Sequence, residues 1–143
     1  MSETTTKRAA RPVPTATSMT KPFWDAARQH RLVMQYDGDG HTFRFYPRAA
    51  SLASGKRNLE WREVSGRGSV YSYTVTHIPM PGFEERGPYA LALVELDEGV
   101  RILANLVNVD PRDVCIGMRV RLCWEKIGDG TEYFAFEPER QQK

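Results

Sequence analysis

Apolar and polar residues alternate with a period of two in five runs of the second half of the chain: "SVYSYTVTHI" (69–78), "YALALVELD" (89–97), "VRILANLVNV" (100–109), "RVRLCWEKI" (119–127) and "TEYFAFEP" (131–138). Alternation in segments rich in β-branched and aromatic residues predicts strands with one face on a core. The "EG" pair between the second and third runs predicts a tight hairpin. "PMPGFEERGP" (79–88), with three Pro and two Gly, reads as a loop, and "DPRDVCIGM" (110–118) as a helical turn opened by Asp110 with Pro111 at its first position. Five strands over residues 65–138, with a short helical element between the third and fourth, is the order of a five-stranded Greek-key OB barrel. An SH3-like barrel is the competing fold, but its strands are shorter and the helical turn favours the OB reading.

Upstream the periodicity changes. In "TKPFWDAARQHR" (20–31) Phe23, Ala26 and Ala27 fall at i, i+3, i+4, the spacing of one helix face. Thr20 is expected to cap this helix, Pro22 to sit in its first turn and His30 to close its C-terminal end. Three short strands follow in "RLVMQY" (31–36), "HTFRFYP" (41–47) and "NLEWREV" (58–64), with Phe43 and Phe45 on one face of the second and Arg44 and Tyr46 on the other. Two knuckle-like turns, "DGDG" (37–40) and "SLAS" (51–54), flank the second strand. A module this small needs a metal or a larger neighbour to be stable. The expected organisation is a flexible tail over 1–20, helix and ribbon over 21–64, barrel over 65–138 and a short tail over 139–143.

Composition narrows the class. Hydrophobic residues make up 41% and charged residues 27% of the 143, the balance of a globular rather than a disordered chain. A net charge of +2 and acidic barrel segments, "ELDE" and "FEPE", argue against a long basic groove for nucleic acid. The first 20 residues lack the apolar core of a secretory signal, and no apolar run approaches the roughly 18 residues of a spanning helix. Cys115 and Cys123 form no disulfide framework, so a reducing compartment, the cytoplasm, is the expected location.

The segments "PFWDAARQHRLVMQ" (22–35), "FYPR" (45–48), "LEWREVSGRGSVYSYTVTH" (59–77), "YALALVELDEGVRILANLV" (89–107) and "IGMRVRL" (116–122) together resemble the zinc-ribbon plus OB-fold proteins of the family known as domain of unknown function 35. The likeness covers about residues 20–138. It implies a mainly β fold with a short N-terminal helix, a rubredoxin-like ribbon and a five-stranded OB barrel. It also implies the role of a non-catalytic accessory subunit of a thiolase-superfamily enzyme (a thiolase, an acyltransferase or a lipid-transfer-type aldolase). The implied partner is a thiolase-like catalytic subunit, with a second acyl-CoA enzyme as a further candidate. The implied substrate, shared with that partner, is an acyl-CoA thioester. Family members carry two CxxC knuckles; on this chain the four ligand positions fall at Asp37, Gly40, Ser51 and Ser54. Asp37, Asp39 and His41 offer only an oxygen and nitrogen cluster, Gly40 has no side chain, and serine hydroxyls are poor zinc ligands. The expectation is a degenerate, metal-free ribbon with no tightly bound cofactor.

Candidate chemistry is sparse. His30, His41 and His77 occupy no triad or metal spacing. Cys115, beside Val114 and Ile116, reads as a buried packing thiol, and Cys123 as a weak nucleophile candidate. Binding is better supported. Arg44, Arg48, Lys56, Arg57, Arg62 and Arg67 lie interleaved with Phe43, Phe45, Tyr46 and Trp61. That texture suits either single-stranded nucleic acid or coenzyme A, and also a solvated face over packed aromatics. The resemblance favours acyl-CoA. Arg44, Tyr46, Arg48 and Trp61 are therefore the candidates for CoA or partner contact. Phe23, Trp24 and Phe83 are the candidates for a partner interface, with Phe83 either inserting into a partner or folding back over the barrel mouth.

Overall fold

Every second residue of the strand Tyr89–Leu96 is buried: Ala90, Ala92, Val94 and Leu96 point into one core while their neighbours point out. The alternation seen in the sequence is thus the register of a wall. The computed structural model describes residues 11–127 and 131–139. The expectations for residues 1–10, the turn 128–130 and residues 140–143 lie outside the described residues. Among those described, a helix α1 (Lys21–Ala27) precedes strands β1 (Val33–Asp37), β2 (Thr42–Arg44) and β3 (Glu60–Glu63). Then come β4 (Arg67–Thr76), β5 (Tyr89–Leu96), β6 (Arg101–Leu106), β7 (Arg119–Ile127) and β8 (Thr131–Pro138). The first three strands form a sheet ordered β2-β1-β3, and the other five a closed barrel ordered β4-β5-β6-β8-β7.

The barrel strands follow the predicted runs within a few residues, and the element between the third and fourth is a 3-10 turn at Pro111–Asp113. Asp110 opens it as expected, its Oδ1 accepting the Arg112 N–H at 2.9 Å. Hydrogen bonds from the Arg112 guanidinium, and then that backbone bond, hold the Asp110 carboxyl down at about 2. Closure needs two devices. A parallel bridge, Leu106↔Phe136, joins β6 to β8. At the other seam the first residues of β4 pair with both β5 and β7, so backbones crowd Gly68, where a Cβ would lie 2.3 Å from the Glu95 carbonyl oxygen. Only glycine fits there.

The helix and ribbon do not stand apart from the barrel. Phe23, Leu32, Met34 and Val64 belong to the same apolar cluster as Val70, Val94, Ile102, Phe134 and Phe136. Phe23 is 5% exposed and packs between Phe45 of the ribbon, at 6.0 Å, and Phe134 of β8, edge-on at 5.8 Å. The short helix docks on its own chain.

Three local expectations are corrected. The Thr20 hydroxyl accepts from the Thr17 N–H at 2.9 Å and leaves the helix without a side-chain cap. His30 lies past the helix in the left-handed region, φ 54°, where its N–H bonds the Ala27 carbonyl and that of Arg31 the Ala26 carbonyl. This is a Schellman ending, and the ring stacks on Trp124 instead of capping carbonyls. Finally, the stretch read as a free tail is pinned at Arg11, whose guanidinium sits over Phe83 and pairs with Glu125 at 3.4 Å. At the other end, the Glu139 N–H donates to the Arg119 carbonyl at 3.0 Å.

Replacing Phe23 by Ala removes the ring that joins ribbon to barrel. A loss of about 3–5 kcal/mol in the unfolding free energy is expected from urea denaturation of the full chain.

Candidate functional site

The ribbon is organised by β1. Gln35 lies opposite Arg44 of β2 and Trp61 of β3, so these three share one face of the sheet. Strand β2 stops at Arg44, and the chain beyond is held by a side chain instead of a ladder. The Gln35 amide donates to the Arg48 carbonyl at 2.9 Å and accepts the Arg48 N–H at 2.7 Å. Gln35 is buried, and both ends of its amide are satisfied in the manner of a strand pair. The predicted strand through "FYP" is therefore shorter than expected. Pro47 has no N–H to give a ladder, and the Gln35 side chain instead anchors the chain just beyond it, at Arg48.

Held this way, Phe45, Tyr46 and Pro47 form one wall of a groove of about 250 Å³; Thr20, Phe23 and Trp24 from the helix side and Leu103, Tyr133 and Phe134 from the barrel complete it. The lining is mainly apolar and aromatic, the composition of a contact surface. Tyr46 is 64% exposed at its rim, and Trp24 packs against Tyr133 at 5.7 Å. Burial pushes the Tyr133 phenol above its ordinary value. Of the predicted residues the groove unites Trp24 and Tyr46, with Phe23 on its floor. Leu103 and Tyr133 were not foreseen, although each sits at an outward position of an alternating strand where a large apolar side chain is unexpected.

The other candidates separate. Arg44 turns toward Asp37, its Nε 4.0 Å from Oδ2 and without a hydrogen-bond partner. Trp61 is half-buried against the core, and Arg62 lies over the Tyr36 ring. Arg48 is exposed beside the groove wall. Phe83 folds back, stacking on Tyr89 at 5.4 Å beneath Arg11, so it is not the exposed anchor of its loop. Ile78, 86% exposed, and Met80 are the exposed large apolar side chains there.

The knuckles meet as the spacing requires, but on polar contacts. Asp37 is fully buried; its Oδ1 accepts the N–H groups of Asp39 at 3.2 Å and Gly40 at 3.1 Å. The Ser51 hydroxyl donates to Asp37 Oδ2 at 2.8 Å and accepts the N–H groups of Ala53 at 3.0 Å and Ser54 at 3.2 Å. The Asp37 and Ser51 side-chain oxygens are occupied in these bonds, Ser54 Oγ donates to Asp39, and Gly40 has no side chain, so the four positions lack the thiolate or imidazole ligands of a ribbon zinc site. Among the described residues no three His, Cys, Asp or Glu side chains converge.

No acid–base or nucleophilic constellation appears at the remaining candidates. His77 is exposed on the edge of a depression of about 480 Å³ shared with Val75, Pro88, Asp110, Pro111 and Arg112. Cys115 is exposed rather than buried, because the turn buries Val114 and leaves residues 115–117 outside. The Cys123 thiol is pushed up to about 11, first by burial and then by Glu137 and Glu125.

With an OB barrel, an N-terminal helix and a ribbon sharing one core, the molecule falls in the class of ribbon-bearing OB-fold proteins. A family model described as the "ChsH2, C-terminal OB-fold domain" matches residues 61–125. The "DUF35 domain-containing scaffold protein" of Pyrococcus furiosus is 37% identical over 111 residues, 77% of this chain and 81% of the relative. The chain belongs to the DUF35 family. It is also 43% identical over 133 residues to the "Probable enoyl-CoA hydratase alpha subunit" of Thermomonospora curvata, covering 92% of this chain and 41% of the relative. The chain thus spans about two fifths of the length of that curated relative. The solved structure titled "Ltp2-ChsH2(DUF35) aldolase" superposes with a TM-score of 0.80 at 37% identity, over 88% of this chain and 98% of the other.

Alkylation separates the two thiols. At pH 8 iodoacetamide is expected to label Cys115 in the folded protein and to leave Cys123 unlabelled until denaturant is added, as read by intact mass.

Proposed function

We propose that this chain is a non-catalytic accessory subunit of a thiolase-superfamily enzyme acting on acyl-CoA thioesters. The observation that carries this reading is the groove beside the Gln35-anchored "FYPR" segment. It is mainly aromatic and apolar, is framed by the helix, the ribbon and the barrel, and has no His, Cys, Asp, Glu, Lys or Arg in its lining. The printed names of the relatives support it: one is a scaffold protein, one a subunit of a CoA-thioester hydratase, and one part of an aldolase assembly. In this reading the catalytic groups belong to a larger partner. Trp24, Tyr46 and Leu103 receive an apolar element of that partner, and Arg48 beside them meets an anionic group of the partner or of the CoA. Arg44 and Trp61 act from behind, holding the ribbon face. A rigid, preformed surface suits such a role because little ordering entropy is lost on docking.

Two experiments test it. Mixed with a thiolase-like subunit from the same source, the chain is expected to co-elute in gel filtration, and acyl-CoA turnover is expected only when both are present. Tyr46→Ala is expected to weaken that complex at least about tenfold by titration calorimetry while leaving the melting midpoint unchanged. Turnover of acyl-CoA by this chain alone would sink the reading.

A further inference from the structure

The two knuckles have the same internal wiring. In each, the first residue's side-chain oxygen accepts the backbone N–H groups two and three residues on: Asp37 from Asp39 and Gly40, Ser51 from Ala53 and Ser54. A thiolate at either position would accept the same N–H groups and still have its charge to give to a metal between the knuckles. Here the two acceptors bond each other, Ser51 Oγ donating to Asp37 Oδ2 at 2.8 Å. A second strut runs beside the first. Ser54 Oγ donates to Asp39 Oδ2 at 2.5 Å, and Asn58 Nδ2 donates to the same oxygen at 2.9 Å.

We propose that this pair of cross-links, Asp37–Ser51 inside and Asp39–Ser54–Asn58 outside, is a metal-independent clasp doing the structural work of a ribbon metal. The donor count supports the assignment. A buried carboxylate is stable only when its oxygens are met by donors or by opposite charge. Asp37 has two backbone N–H groups on one oxygen, a hydroxyl on the other and the Arg44 guanidinium 4.0 Å away. Gly40 completes the fit. A Cβ there would stand 3.1 Å from Asp37 Oδ2 and 3.3 Å from its Cγ. The carboxylate fills the space that a side chain at position 40 would use, so Asp37 and Gly40 are a matched pair. The clasp also explains why the ribbon keeps its spacing without thiols: the frame of turns is intact and only the linking chemistry differs. The clasp is independent of the partner and of any catalytic activity.

Metal content, amide exchange and a thiol graft test it together. The purified full chain, incubated with zinc and then desalted, is expected to hold essentially no zinc by elemental analysis, and its melting point is expected to be indifferent to chelator. About one zinc per chain, or a melting point lowered by chelator, overturns the proposal. Ser51→Ala is expected to speed hydrogen exchange at the Gly40, Ala53 and Ser54 amides at least about tenfold, with the barrel amides of Ala92 and Ile102 unchanged. Unchanged exchange at Ala53 and Ser54 overturns it, and so does acceleration spread equally over the barrel. The combined variant Asp37→Cys, Gly40→Cys, Ser51→Cys and Ser54→Cys is expected to take up one zinc and to become chelator-sensitive. A folded variant that takes up none shows that the knuckles are not a metal-ready frame. If the graft does not fold, the first two measurements still decide.

Discussion

The packing of Phe23 between Phe45 and Phe134 is the contact on which the rest of the molecule depends. A seven-residue helix is too short to be stable by its own hydrogen bonds, and a three-stranded ribbon buries too little apolar surface to fold alone. The barrel supplies the missing surface. Because one ring touches both modules, the helix, the ribbon and β8 become a single core, and the groove forms where their edges meet. The groove is thus a by-product of the docking.

The polar half of the ribbon solves a different problem. Its turns expose backbone N–H groups inward, and buried donors must be met. Gln35, Asp37 and Ser51 meet them, each with a side chain that imitates a backbone or ligand partner. Gln35 is a short piece of strand made from one amide, and it places "FYPR" as firmly as a ladder would. Arg44, from the same basic and aromatic run, faces this buried carboxylate, its Nε 4.0 Å from Asp37 Oδ2.

Local patterns were readable where they are set by neighbours in the chain. The barrel strands, the hairpin at Glu98–Gly99 and the Asp110–Pro111 turn follow from period and turn chemistry within a few residues. The spacing of Asp37, Gly40, Ser51 and Ser54 was visible through family likeness. What they bond was not, because a hydrogen bond between residues 14 apart depends on the fold of both turns. Arg11 is the extreme case: it pairs with Glu125, 114 residues away, and nothing in its own neighbourhood marks it. The exposure of Cys115 departs from the sequence pattern for a related reason. Its apolar neighbours suggested a core, but the turn that buries Val114 reverses the chain before Ile116 can follow. Phe83 shows that a loop aromatic is claimed by whichever partners are close, here Tyr89 and Arg11.

The parallel bridge between Leu106 and Phe136 has a kinetic meaning. The hairpins β5–β6 and β7–β8 are local and form with short loop closures, whereas this seam joins strands 30 residues apart and gains nothing until both hairpins exist. Phe134, two residues from the seam on β8, is the barrel ring against which Phe23 packs. The helix and ribbon cover that ring in the folded chain, so a barrel without them would present a bare aromatic face.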